Sequence, residues 1–72
     1  MDMRRLVGRN LARVRRAQGL TQKQLQGQSG FSQQYLSGLE RGQRNPAVVT
    51  LYELARVLWV SYFDLLQPGR NN

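Results

Sequence analysis

The sequence contains no cysteine and no histidine, and only four of its 72 residues are acidic. Without cysteine there is no disulfide, thiol nucleophile or thiolate-bound metal, and without histidine the commonest metal ligand and proton shuttle are missing. The carboxylates stand far apart in the sequence, and no glycine-rich phosphate loop precedes the one lysine. We therefore expect a protein that is not an enzyme and that has no metal and no cofactor.

Long apolar runs are also missing. No run approaches the roughly 18 residues that a membrane-spanning helix needs, and near the start of the chain only Leu6 and Val7 separate Arg5 from Gly8 and Arg9, which is too short for a signal-peptide core. These absences predict a cytoplasmic protein with no membrane partner.

Positive charge is plentiful and unevenly distributed. Eleven basic residues against four acidic ones give a net charge of +7. Residues 1–44 hold nine of the basic and two of the acidic residues, so they carry the whole net charge, whereas residues 45–72 are neutral overall. An excess of this size predicts a polyanionic partner that faces the first part of the chain.

Helix-start signals divide the chain into five short helices. Thr21 and Ser61 are N-caps with capping-box partners three residues later, Gln24 and Asp64, whereas Ser32 is an N-cap without such a partner. We predict one all-α domain over residues 1–69 and a flexible tail over 70–72. The predicted helices cover residues 3–18, 21–29 and 32–41, then a fourth beginning at Asn45–Pro46 or Thr50, and a fifth over 61–66, with three helix-ending glycines: Gly19, Gly30 and Gly42.

The second and third helices are separated only by Gly30, Phe31 and the cap Ser32, which predicts a helix-turn-helix. Helical spacing turns Tyr35, Leu36 and Leu39 inward. Gln pairs with adenine and Ser contacts several bases, so the opposite face suits the major groove of DNA, although an ordinary solvated face has the same periodicity. That predicted exposed face consists of Gln33, Gln34, Ser37, Gly38 and Arg41.

Ordered motifs extend over nearly the whole chain: Val7-Gly8-x-x-Leu11-x-x-Val14-Arg15, Gly19-Leu20-Thr21-Gln22-x-x-Leu25, Ser29-Gly30-Phe31-Ser32-x-x-Tyr35-Leu36-Ser37-x-Leu39-Glu40-Arg41-Gly42, Arg44-Asn45-Pro46, Thr50-Leu51-x-x-Leu54-Ala55-x-x-Leu58 and Leu65-Leu66. Their order and spacing strongly resemble the Cro/CI helix-turn-helix family of prokaryotic and phage regulators, also called the xenobiotic-response-element family. The resemblance implies a compact five-helix, lambda-repressor-like domain that binds operator DNA, usually as a two-fold dimer.

The same resemblance assigns candidate roles to individual residues. Arg15 and Glu40 match a family salt bridge between the first and third helices, which we expect to be structural. An arginine can also serve only to keep the protein soluble, and this explanation suits Arg5 and Arg9 better than Arg44. The matching base-reading positions are Gln33, Gln34, Ser37 and Gly38. The candidate phosphate-binding residues are Gln22, Lys23, Ser32, Arg41 and Arg44.

Two residues depart from the family pattern. Gln26 replaces a small residue of the second helix, so either the crossing with the third helix is wider or the side chain turns toward solvent. Trp59 replaces a glycine that ends the fourth helix with positive φ. That backbone conformation is costly for a bulky residue, so we expect the helix to end differently.

Aromatic and apolar residues are concentrated in the neutral second part of the chain. Phe63 is expected in the core. Because a chain of this length is near the lower limit of about 70 to 80 residues for a self-sufficient core, we expect exposed members of the group to form a homodimer interface through the fourth and fifth helices. The predicted interface residues are Val49, Tyr52, Trp59 and Tyr62.

These features predict a sequence-specific transcriptional regulator that binds a roughly palindromic double-stranded operator. An antitoxin or a restriction-modification controller that regulates its own operon has the same features. A protein–protein adaptor that kept the fold without binding DNA is an alternative of another class. No small-molecule ligand is expected, because the helix-turn-helix unit occupies almost the whole length.

Overall fold

The computed structural model describes residues 2–68, which form five α-helices, and no strand occurs in this range. The predicted all-α class is therefore confirmed. The tail over 70–72 lies outside the described residues. The helices are α1 (Met3–Ala17), α2 (Gln22–Ser29), α3 (Gln33–Glu40), α4 (Val48–Leu58) and α5 (Tyr62–Leu66).

Local chemistry sets most helix ends as predicted. Both capping boxes form, at Thr21 with Gln24 and at Ser61 with Asp64, and Ser32 caps α3. The three glycines at the breaks all have positive φ. The predicted start of α4 is wrong, because its N-cap is Ala47, which makes no side-chain cap hydrogen bond. This end depends on the packing of α4 in the core, which a search for polar caps does not detect.

The core is built from leucines of all five helices, and α1 packs against both α3 and α5. Gly8 allows the crossing of α1 with α3, because a Cβ at this position would lie 2.2 Å from the carbonyl oxygen of Leu39. Any side chain at Gly8 would push the two helices apart. The fully buried core side chains include Leu11, Leu25, Leu36, Leu39, Leu54, Leu58 and Leu65.

Polar side chains of α1 and of its C-cap residue Gln18 bind the carboxyl ends of α5 and α4. Asn10 is buried, and its Nδ2 donates hydrogen bonds to the carbonyl oxygens of Leu65 at 3.0 Å and Gln67 at 2.6 Å. The Nε2 of Gln18 donates to the carbonyl oxygen of Leu58. Carbonyls at helix ends have no partner within their own helix, so α1 supplies one. The sequence pattern indicated neither contact.

An ion pair joins α1 to α3. Nε and Nη2 of Arg15 lie 2.6 Å and 3.0 Å from the two carboxylate oxygens of Glu40, and Nη1 donates to the carbonyl oxygen of Leu20 at 2.6 Å. The side chains are only 10% and 6% exposed. Hydrogen bonding to Glu40 raises the pKa of Arg15 although burial opposes this. The pair inferred from the family resemblance is thus present as a bidentate, nearly buried contact.

The end of α4 and the position of Phe63 differ from expectation. Trp59 has φ 59° and ψ 38°, so α4 ends in the left-handed conformation despite the bulky residue. The amide of Val60 donates to the carbonyl oxygen of Ala55 at 3.0 Å, and Val60 packs against the core, which holds this turn. Phe63 is 62% exposed and not in the core, because α5 turns Leu65 inward instead.

The substitution Trp59→Gly should stabilise the folded chain. Left-handed backbone costs a non-glycine residue about 1 kcal/mol, and the Trp59 ring is 93% exposed, so little packing is lost. We expect thermal unfolding at low protein concentration to shift upward by roughly 5 °C. Trp59→Ala removes the same ring but keeps the strained backbone and is the control. An equal shift in both variants would contradict this explanation.

The substitution Glu40→Ala should destabilise the fold strongly. Removing one partner of a nearly buried pair leaves the Arg15 guanidinium without its counter-charge, which costs about 3 kcal/mol or more. Chemical denaturation monitored by circular dichroism measures this loss. Glu53→Ala breaks the exposed pair with Arg56 and should change the midpoint little. An unchanged midpoint for Glu40→Ala would show that the buried pair does not hold α1 to α3.

Candidate nucleic-acid interface

The first turn of α3 presents two adjacent amide side chains to solvent. Gln33 and Gln34 are exposed immediately after the cap, and Ser37 lies half-buried one turn later. The Ser32 hydroxyl oxygen accepts from the amide of Tyr35 at 3.1 Å, which fixes where this helix begins. Two glutamines with flexible amide heads at a helix start are well placed to pair with groups in a groove.

Gln26 of α2 also contributes to the start of α3. Its side chain is exposed, and Oε1 accepts a hydrogen bond of 2.6 Å from the backbone amide of Gln33. Of the two outcomes expected for this unusual residue, the structure has the solvent-exposed side chain. Its function as a second cap was missed, because the contact joins residues on different helices.

The amino end of α2 is attached to the Arg15–Glu40 pair. Nε2 of Gln22 donates to Oε1 of Glu40 at 3.0 Å, so the same carboxylate binds α1 and α2 while belonging to α3. Gln22 is half-buried and Lys23 beside it is exposed. The Gln22 side chain, a candidate phosphate ligand, is therefore held relative to α3 by one carboxylate.

Gly38 does not lie on the exposed face of α3, contrary to the prediction. It is buried, and a Cβ built there would lie 2.9 Å from Cγ of Arg44. The guanidinium carbon of Arg44 stands 5.7 Å from the centre of the Tyr35 ring, within cation–π range. Gly38 therefore makes room for the Arg44 side chain beside α3.

Exposed cations lie on α2 and in the turn after α3. Arg41 and Arg44 are exposed in the turn after α3, and Lys23 is exposed on α2. Glu40 is the one acidic residue of α2 and α3, and its charge is balanced by Arg15. We define the recognition surface as Gln22, Lys23, Ser32, Gln33, Gln34, Ser37, Arg41 and Arg44. It combines neutral hydrogen-bonding groups with three cations.

A separate apolar face lies on α4 and α5. Val48, Val49 and Tyr52 are 68%, 72% and 60% exposed, and together with Tyr62 they line a shallow groove of about 450 Å³. These four residues are the α4 apolar face. Trp59 lies at the other end of α4, beside Gln28 and Val57. The structure thus brings together three of the four predicted dimer residues and leaves Trp59 outside their groove.

Comparisons with known proteins agree with this architecture. A family model described as helix-turn-helix matches residues 11–65. The uncharacterized HTH-type transcriptional regulator y4dJ of Sinorhizobium fredii is 65% identical over 68 residues, which cover 94% of this chain and 88% of that protein. The crystal structure of a hypothetical transcription factor, NHTF, from Neisseria superposes with a TM-score of 0.90 at 31% identity, covering 94% of this chain and 78% of that one.

A third relative was solved on DNA. The tetramer of the restriction-modification controller protein C.Esp1396I, in complex with its natural 35 base-pair operator, matches with a TM-score of 0.82 at 29% identity. The match covers 92% of this chain and 91% of that one. Among residues 2–68 no helix is long and apolar enough to cross a membrane. The motif resemblance is confirmed, and the chain belongs to the helix-turn-helix family.

Proposed function

We propose that the protein is a transcriptional regulator that binds operator DNA through α2 and α3 as a homodimer. The observation that carries the proposal is the recognition surface, in which the adjacent, exposed amides of Gln33 and Gln34 at the start of α3 are accompanied by three exposed cations. The family match and the operator-bound relative support the same function. The adaptor alternative is not favoured, because it gives no use to this arrangement.

In the proposed complex α3 enters the major groove by its amino end. Gln33 and Gln34 then reach base edges, where a glutamine amide pairs bidentately with N6 and N7 of adenine. Ser37, one turn later, contacts a neighbouring base or sugar. The buried ion pair and the caps from Ser32 and Gln26 fix the direction of α3 before DNA arrives, so little ordering is needed on binding.

The remaining residues of the recognition surface are proposed to bind phosphates. Gln22 and Ser32 stand at the amino ends of α2 and α3, where free backbone amides and the helix dipole favour an anion. One N–H of the Gln22 amide is used by Glu40, which leaves the other to donate to a phosphate oxygen. Lys23, Arg41 and Arg44 supply positive charge on both sides of α3.

The homodimer is proposed to form through the α4 apolar face. Aromatic and aliphatic side chains exposed together on a small protein are typical of an interface. Two copies related by a two-fold axis would present two α3 helices to successive major grooves about 34 Å apart on a roughly palindromic site. The tetrameric assembly of the relative C.Esp1396I on its operator supports repeated pairing of such chains.

Membership of the helix-turn-helix family supports a general biological role. Regulators of this family are generally not enzymes, and a protein that binds an operator acts in the cytoplasm. The similarity to a restriction-modification controller supports one specific form of this function, in which the protein regulates its own operon.

Replacing a base-reading glutamine should change specificity more than general affinity. Gln33→Ala and Gln34→Ala each remove a bidentate contact, so discrimination between the selected operator and a shuffled duplex should fall by about 1 to 3 kcal/mol. Fluorescence anisotropy over a series of salt concentrations measures this. The dependence of affinity on salt should stay as in the wild type, because no phosphate contact is lost.

The control for that experiment is Lys23→Gln, which should weaken both duplexes alike and reduce the salt dependence. If Gln34→Ala lost the same affinity on operator and shuffled DNA, Gln34 would not read bases. A chain that bound no DNA at any salt concentration would contradict the whole function and favour the adaptor.

The apolar face on α4 should hold the dimer together. Val49→Asn with Tyr52→Asn replaces exposed apolar groups without adding charge, so the dimer dissociation constant should rise by about tenfold or more. Sedimentation equilibrium of the wild type should give twice the chain mass of 8.3 kDa at micromolar concentrations. Met3→Asn, at another exposed apolar side chain, is the control. A wild-type monomer with and without DNA would contradict this interface.

A further inference from the structure

Three arginines converge on an open groove where α1 crosses the end of α3. Arg5 and Arg9 come from α1 and Arg41 is the C-cap of α3, and with Glu40 they line a volume of about 330 Å³. We call this the arginine groove. Gly42 brings the two segments close, since a Cβ there would lie 3.0 to 3.3 Å from atoms of Arg5. The convergence is therefore built by close packing of the turn after α3 against α1.

The charge of the groove is strongly positive. Glu40 is its one carboxylate, and Glu40 is bound by Arg15 and Gln22. Within residues 2–68 no carboxylate lies within 4.0 Å of the charged nitrogens of Arg9 or Arg41, and Asp2 approaches Arg5 only at 3.9 Å. Three cationic side chains that line one volume repel one another, and an anion in that volume reduces the repulsion.

We infer that Arg5 and Arg9 extend the recognition surface from Arg41 along α1, and that the arginine groove binds a backbone phosphate of the DNA. The inference rests on the proposed function. Glu40 lines the groove and also accepts the hydrogen bond from Gln22, so the groove adjoins the proposed phosphate site at the start of α2. A DNA strand that passes Gln22 continues along α1 toward Arg9 and Arg5, outside the helix-turn-helix itself.

Guanidinium groups suit this ligand. Each presents several N–H donors in one plane and binds phosphate oxygens in a bidentate way. From sequence alone, plain solubility explained Arg5 and Arg9 better than it explained Arg44. In the structure Arg5 and Arg9 line the groove together with Arg41. Arg13 instead donates to the Asn10 side chain at 3.0 Å.

The test compares two exposed arginines of α1. Arg9→Gln removes a groove residue, and Arg16→Gln removes the same charge from the same helix outside the groove. The probe is a random-sequence DNA duplex of about 30 base pairs, because phosphate contacts do not depend on sequence. Anisotropy titrations over a salt series give the slope of log affinity against log salt, and circular dichroism melting verifies that each variant folds.

We expect Arg9→Gln to reduce that slope by about 1 for each bound subunit, Arg16→Gln to leave it nearly unchanged, and Arg9→Lys to retain most of it. Arg5→Gln is the second groove variant and should behave like Arg9→Gln. Equal reductions for Arg9→Gln and Arg16→Gln, or no reduction for either, would overturn the groove as a phosphate site. In both of those results the wild type still binds DNA, whereas a wild type that binds no duplex would refute the proposed function itself.

Discussion

The carboxylate of Glu40 is the point on which the geometry of the DNA-facing half depends. It belongs to α3, accepts two hydrogen bonds from Arg15 of α1 and one from Gln22 of α2, and so connects three helices through two oxygen atoms. Arg15 also holds the carbonyl of Leu20 in the turn before α2. An ion pair with so little exposure contributes modest net stability but a strong geometric preference, because any other helix arrangement leaves a charge without a partner.

Much of the fold was accessible from the sequence because helix ends are decided by neighbouring residues. A Thr or Ser followed three residues later by Gln or Asp forms its cap wherever the helix packs, so the starts of α2 and α5 were predicted correctly. The start of α4 at Ala47 was not, since packing sets it. Phe63 was misplaced for a related reason: with five residues, α5 has too few turns for periodicity to identify its inner face.

The residues of the candidate site were likewise predicted only where neighbouring residues determine their position. Gln33 and Gln34 directly follow a cap, so their exposure at the start of α3 follows from the sequence. The surroundings of Gly38 are set by the Arg44 side chain, and the contact of Gln26 is made with the first amide of α3. Both partners lie in other segments, so no local sequence pattern reveals them. The family resemblance supplied the Arg15–Glu40 pair for which helical angles indicated only partial screening. It did not supply the arginine groove, which exists only because two segments distant in sequence meet.

The polar contacts from α1 to the ends of α4 and α5 have a mechanical consequence. Asn10 and Gln18 bind α5 and α4, which carry the α4 apolar face, to α1 and its C-cap. Arg15 in turn binds α1 to α3. In a dimer, each α3 helix would then be connected to the dimer interface by these contacts within its own subunit. An operator with one extra base pair between its half-sites would be rotated by roughly 35° and displaced by about 3.4 Å, and a stiff protein passes that mismatch to the DNA as twist and bend. The stiffness of the central base pairs would therefore become part of what the protein recognises.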